Sequence, residues 1–223
     1  MRDVDAAAGC PPPAARRRSV VRQAPAVTTA AEVPLDELIA SIAIDVPDFP
    51  EPGVLFRDLT PVFADGLAFR RVVDGLAAPS LSDPRAAALA DAGTHPADDP
   101  GFDVVVGVEA RGFLLAAAVA YDAGVGVVLV RKAGKLPRER MAADYTLEYG
   151  TATLELHTDA LRPGQRVLVV DDVLATGGTL GAAINLVEQA GAVVTAVSVV
   201  IELVALGGRE RVAPHTVHSL WTT

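Results

Sequence analysis

Val167-Leu168-Val169-Val170-Asp171-Asp172-Val173-Leu174-Ala175-Thr176-Gly177-Gly178-Thr179 is the stretch from which the rest of the 223-residue chain is read. Four aliphatic residues without alternation suit a central strand of a parallel sheet covered on both faces. Asp171 and Asp172 then fall at its carboxyl end, the edge at which open α/β sheets collect ligands. Ionised carboxylates accept hydrogen bonds and match the vicinal hydroxyls of a sugar. Ala175, Thr176, Gly177, Gly178 and Thr179 follow with backbone N–H groups and two hydroxyls where a helix begins, which is a ready anion site. Two plainer readings compete: a magnesium-binding carboxylate pair, and an ordinary strand-to-helix turn. Joined in this order, the two halves favour a phosphorylated sugar.

Outward from this block the chain alternates strands and helices. Val104 to Val106 and Val125 to Val130 read as buried strands around an alanine-rich helix from Phe113 to Tyr121, forming a βαβ unit. Thr151 to Leu156 alternates as a half-exposed strand does, and Val193 to Ile201 reads as another buried strand, reached through a helix from Leu180 to Glu188. Leu35, Leu38, Ile39 and Ile42 predict an amphipathic helix over residues 35–45, closed by Pro47 and Pro50. Phe69, Val72, Val73 and Leu76 predict a second. The expected fold class is α/β, a doubly wound and mainly parallel sheet with helices on both faces. Phe49 to Pro61 contributes to a small hood at the ligand edge.

Size and composition set limits. The 23.0 kDa chain, 51% hydrophobic, is expected to form one domain over residues 32–223, with a surface insertion at 78–101 and a disordered extension at 1–31. A formal charge of −9 disfavours tight nucleic-acid binding. Cys10 is the sole cysteine, so no intrachain disulfide forms and a cytoplasmic setting is the simplest inference. The uncharged runs Val173 to Val187 and Gln189 to Ile201 are shorter than the roughly 20 apolar residues that span a bilayer. Neither a Gly-x-x-x-x-Gly-Lys-Ser/Thr loop nor a Gly-x-Gly-x-x-Gly fingerprint occurs, which removes support for the usual nucleoside triphosphate and dinucleotide sites.

The strand-turn block resembles the phosphoribosyl diphosphate (PRPP) signature of the type I phosphoribosyltransferases. Four further blocks narrow the resemblance to the adenine phosphoribosyltransferase family: Phe49 to Pro61, Glu109 to Phe113, Arg131 to Pro137, and Leu147 to Gly150. The resemblance implies transfer of a ribosyl phosphate from PRPP to N9 of adenine, giving AMP and pyrophosphate, with Mg2+ carried mainly by PRPP rather than by a protein cage. It places Ala175 to Thr179 around the 5′-phosphate, and Asp171 and Asp172 at the ribose hydroxyls. It assigns Glu109, Ala110 and Arg111 to a pyrophosphate loop in which relatives adopt a non-proline cis peptide. Arg131, Lys132 and Lys135 add positive charge for pyrophosphate, partly across a homodimer interface.

Adenine falls to the Phe56 ring and the Arg57 backbone, whose carbonyl accepts from a 6-amino group but would oppose the oxygen of a 6-oxopurine. Glu148 is the candidate for proton handling and Arg111 is grouped with it as catalytic. Tyr149 joins the PRPP contacts, beyond a loop with the composition of a mobile lid. Each assignment has a structural rival: Phe56 as core, Glu148 as a solvent-facing strand residue, the basic loop as solvated surface. A xanthine or guanine phosphoribosyltransferase and a PRPP-sensing regulator of the same fold are the competing functions. His157, His215 and His218 lack metal-like spacing, and the tail after Pro214 is left without a role.

Overall fold

The computed structural model describes residues 33–78, 99–146 and 151–223. Its frame is a seven-stranded sheet in the order β5-β6-β4-β3-β7-β8-β9, with a separate two-stranded ribbon, β1-β2. The strands are β1 (Ile44–Pro47), β2 (Leu55–Asp58), β3 (Val104–Val108), β4 (Gly126–Lys132), β5 (Arg140–Thr146), β6 (Thr151–His157), β7 (Arg166–Leu174), β8 (Val193–Glu202) and β9 (Val217–Thr222). The helices are α1 (Leu35–Ile42), α2 (Thr60–Ala64), α3 (Gly66–Ala77), α4 (Arg111–Ala123), α5 (Gly178–Gln189) and α6 (Gly208–Arg211), with a 3-10 turn at Val204–Leu206.

Strands β3, β4, β7, β8 and β9 pair in parallel, whereas β6 and β5 are added antiparallel to β4 and to each other. Every residue of β3 is buried, as its wholly uncharged, valine-rich sequence requires of a strand with helices above and below. Two apolar cores lie on the opposite faces. One joins Val106, Val169 and Val199 of the sheet to Leu180, Ile184 and Val187 of α5. The other joins Val105, Leu168 and Val200 to Leu115 and Val119 of α4, Val72 and Leu76 of α3, and Ile39 of α1.

This winding decides where a ligand goes. From β3 the chain crosses through α4 to β4 in one direction; from β7 it crosses through α5, on the other face, to β8 in the opposite direction. The crossovers diverge between β3 and β7, opening a crevice beyond their carboxyl ends. Glu109 follows one of those strands, and Asp171 and Asp172 lie on the other.

The expected doubly wound sheet, its helices on both faces and the hood ribbon are all present. Several local expectations change. The helix expected over 35–45 ends at Ile42, and Ile44 to Pro47 instead pairs with Leu55 to Asp58 to make the ribbon, because Ala43 already has extended torsions. Thr151 to His157 does not alternate: Leu154, Glu155 and Leu156 are all buried, since the antiparallel strands on either side and α5 enclose them. The stretch from Arg140 to Thr146, between the Gly134 and Pro137 loop and Glu148, is strand β5 in register with β6. The tail after Pro214 carries β9, parallel to β8.

The extension at 1–31 and most of the insertion at 78–101 lie outside the described residues. The insertion's end is not mere surface: the Asp99 carboxylate receives both Arg166 Nη atoms at 2.8 and 2.9 Å, while Asp103 receives Arg166 Nε at 3.1 Å. The hydrogen bonds that Arg166 donates to Asp99 and Asp103 outweigh the opposing effect of burial and hold its guanidinium above the ordinary pKa. The cluster pins the start of β7 to the loop entering β3.

Candidate active site

The crevice is a cavity of about 520 Å³ whose floor and walls come from the ends of β3, β4 and β7 and from the turn into α5. Strand β7 is apolar up to Val170 and then delivers Asp171 and Asp172, both nearly buried at 8% and 6% exposure. Asp171 Oδ1 accepts from the Asp172 backbone N–H at 2.9 Å. Burial, reinforced by the neighbouring charge of Asp172, pushes the Asp171 carboxyl well above the ordinary carboxylate range; Arg111 and that backbone N–H only partly oppose it. A donor or cation brought by a ligand would favour its charged form.

Opposite stands the loop that follows β3. The Glu109–Ala110 peptide is cis, as the resemblance implied. Arg111, the first residue of α4, places Nη2 2.8 Å from Asp172 Oδ2 and its guanidinium carbon 5.3 Å above the Phe56 ring. The contact is close enough for an ion pair, yet that oxygen receives no well-aligned hydrogen bond and is buried. An acceptor so placed retains capacity for a ligand hydroxyl.

Beyond Asp172 the turn Ala175 to Thr179 lines the cavity in full. Gly177 has φ +79°, a torsion that favours glycine, and it stands as N-cap of α5, directing the helix's first N–H groups at the cavity. Behind the turn, the start of α6 approaches to backbone contact. A Cβ on Gly177 would lie 2.5 Å from the Gly208 carbonyl oxygen, and one on Gly208 would lie 2.2 Å from that of Ala175. The two glycines are a matched pair. Arg209 anchors this backing: Nε donates to Glu202 Oε1 at 2.9 Å, Nη1 donates to the Val217 carbonyl at 2.8 Å, and Nη2 contacts the other Glu202 oxygen. Those bonds hold the Glu202 carboxyl below its ordinary pKa against the effect of burial.

The basic loop is present but arranged differently from expectation. Lys132 reaches the cavity, whereas Arg131 and Lys135 do not line it. Both gather on Glu109: Lys135 Nζ is in contact with Oε1, Arg131 Nε lies 3.5 Å from Oε2, and the Lys132 backbone N–H donates to Oε2 at 3.0 Å. Burial works against the Glu109 charge, but the hydrogen bonds from Lys135 and the Lys132 N–H outweigh it and lower its pKa. Behind the loop, buried Glu155 accepts from Gly134 N–H at 3.0 Å and from Arg140 Nε at 2.9 Å.

The hood brings Phe56 against Phe49, edge to face with centroids 5.2 Å apart, and keeps it half-buried. The Arg57 side chain turns away from the cavity. It pairs with Asp45 at 3.0 Å, donates to Thr223 Oγ1 at 2.9 Å and stacks over Trp221 at 4.7 Å, so only its backbone stays available to a base. Glu148 and Tyr149 lie outside the described residues, between the paired ends Thr146 and Thr151 of β5 and β6. Tyr145 and Ala152, also on that hairpin, line the cavity and carried no signal in the sequence. Gly208, Arg209 and Glu155 were missed likewise: the partners of Gly208 and Glu155 are distant in sequence, and those of Arg209, seven to ten residues away, follow no regular spacing. A Gly-Arg pair in a poorly matching tail offers nothing to read.

Among the described residues no helix is long and apolar enough to cross a membrane, and no group of three or more His, Cys, Asp or Glu side chains could hold a metal ion. Comparison with known proteins bears directly on this arrangement. A model of the phosphoribosyl transferase domain matches residues 86–215. The chain is 58% identical over 186 residues to an adenine phosphoribosyltransferase of Salinispora arenicola, covering 83% of this chain and 90% of that one. A crystal structure of adenine phosphoribosyltransferase from Thermoanaerobacter pseudethanolicus superposes with a TM-score of 0.74 at 41% identity, covering 85% and 99% of the two chains. The Saccharomyces cerevisiae enzyme, solved with an iminosugar bisphosphate and adenine, gives 0.72 at 35% identity, covering 83% and 98%. Sheet, crevice and kinship agree: the chain belongs to the phosphoribosyltransferases, in their adenine phosphoribosyltransferase family.

Proposed function

We propose that the protein transfers the 5-phosphoribosyl group of PRPP to N9 of adenine, releasing pyrophosphate and forming AMP, a purine salvage reaction. The observation that carries this reading is the crevice between β3 and β7, where a carboxylate pair and a helix-opening turn line one cavity. The Ala175 to Thr179 turn holds the 5′-phosphate through backbone N–H groups and the Thr176 and Thr179 hydroxyls. Asp171 and Asp172 hold the ribose hydroxyls, and their negative potential favours the positive charge that builds on the ring as the C1′–oxygen bond breaks. Arg111, already in contact with Asp172 and Phe56, bridges sugar, base and leaving group.

Pyrophosphate leaves toward Ala110, Arg111 and Lys132. Adenine lies on Phe56 with its 6-amino group donating to the Arg57 carbonyl, N9 forms the new bond to C1′, and the N9 proton passes to Glu148. Asp171 and Asp172, hard oxygen donors with no third ligand among the described residues, would suit a magnesium ion that keeps water and substrate phosphate as its other ligands. Such an ion would supply positive charge to the departing pyrophosphate.

The protein acts where its phosphorylated substrate is made, in the cytoplasm, and as a homodimer. Half-exposed Leu114 on α4 and Val127 and Leu129 on β4 supply apolar surface for a second copy. The test is pyrophosphate release from PRPP and magnesium with a panel of bases. Adenine is expected to react, and hypoxanthine and guanine to be slower by about 10⁴-fold. Equal or faster rates with a 6-oxopurine overturn the base assignment.

A further inference from the structure

Beside the crevice Arg111, Arg131 and Lys135 face anions of the protein itself, and Lys132 reaches the cavity. Arg111 faces Asp172, and Lys135, Arg131 and the Lys132 N–H converge on the Glu109 carboxylate. Glu109 lines the cavity and is itself almost buried, its side chain 9% exposed. That is an odd residue for a diphosphate pocket. A carboxylate contributes no donor to a phosphate oxygen, and at close range in a partly desolvated site it repels one.

We infer that Glu109 is an internal competitor of pyrophosphate: its carboxylate holds Lys135 and Arg131 beside the cavity, together with the Lys132 N–H, and so draws them away from the incoming diphosphate, leaving the product held less tightly than the cations alone would hold it. The inference rests on the phosphoribosyl-transfer reading and replaces the expectation that Glu109 contacts PRPP favourably. Its physical basis is twofold. The carboxylate keeps several like charges close together, and Glu155, bonding Gly134 N–H and Arg140 on the far side, keeps their loop in place when the Glu109 contacts loosen. A like charge beside the bound product also raises that product's free energy. Weaker product binding speeds release, and the group that arranges the site is also the one that empties it.

The experiment is a calorimetric titration of magnesium pyrophosphate, and separately of AMP, into the full-length protein and its Glu109→Gln variant. The variant is expected to bind pyrophosphate about tenfold more tightly, with AMP changed by less than about twofold, because AMP carries no group at the cation cluster. Added salt should shrink the difference between the two proteins for pyrophosphate only. Unchanged or weaker pyrophosphate binding in the variant, with AMP binding preserved, overturns the inference and makes Glu109 a simple organiser of the loop. If Glu109→Gln fails to fold by circular dichroism, Glu109→Asp, whose carboxylate sits one carbon further from Lys135, is expected to shift pyrophosphate affinity in the same direction by less; no shift overturns the inference equally. Should the parent protein bind neither AMP nor pyrophosphate, the phosphoribosyl-transfer reading itself falls.

Discussion

Asp171 and Asp172 are chain neighbours with different tasks. Asp172 faces Arg111 across 2.8 Å and keeps a buried oxygen without an aligned donor, so it is the carboxylate placed to meet a ribose hydroxyl. Replacing it by asparagine preserves shape and removes charge. Asp172→Asn is expected to lower kcat/KM for PRPP by about ten- to hundredfold, the effect of losing hydrogen bonds to a charged group, with an unchanged melting temperature. Steady-state kinetics beside thermal denaturation checks both halves.

Asp171 makes a different prediction through its proton. Its folded-state pKa is raised, so between the ordinary value of 3.8 and that raised value the folded protein binds a proton that the unfolded chain does not. Stability therefore falls as pH rises through this window, the reverse of the usual salt-bridged carboxylate. Asp171→Asn, whose amide oxygen still accepts from Asp172 N–H, removes the charging cost. Without PRPP the variant should melt above the parent at pH 7 to 8, with the gap closing near pH 4. A gap that widens on acidification would contradict the assignment.

Among elements, the turn into α5 depends on another element that follows it by thirty residues. Strand β8 returns the chain to the same edge, the 3-10 turn Val204–Leu206 reverses it, and α6 is set behind the phosphate turn by Arg209. Gly208→Ala would place a methyl 2.2 Å from the Ala175 oxygen, a backbone atom that no rotamer change can move. The expected result is roughly 1 to 3 kcal/mol of destabilisation, as for overpacking elsewhere. The KM for PRPP should rise by about tenfold or more, since the turn's N–H groups must keep their positions to within a fraction of an ångström to bond the phosphate. Adenine affinity should move less, because the hood lies apart from α6. Equal effects on both substrates would show general loosening of the fold rather than a buttress.

Over the whole molecule, the last strand of the sheet supports the first ribbon. Arg57 on β2 reaches Trp221 of β9 and Thr223 just beyond it, so the hood bearing Phe56 is braced by the opposite end of the fold. Trp221→Ala removes the surface on which the guanidinium lies. KM for adenine is expected to rise several-fold, consistent with a cation–π contact of about 0.5 to 1 kcal/mol plus lost packing. KM for PRPP should stay near the parent value. A base-titration series at saturating PRPP measures the first, and the converse series the second.

The sequence by itself determined the parallel sheet and its ligand edge, because an unbroken aliphatic strand, two carboxylates and a glycine-threonine turn are contiguous, and local order is what periodicity and turn chemistry report. It likewise marked Glu109 to Gly112 and Arg131 to Lys135 as blocks, through resemblance. Only the tertiary structure decided which charges meet. Glu109 lies 26 residues from the lysine it binds, Gly208 lies 31 from the glycine it faces, and Arg57 lies 166 from Thr223. Such pairs leave no spacing to read: each forms because parallel crossovers bring distant strand ends to one edge, where burial raises the pKa of Asp171.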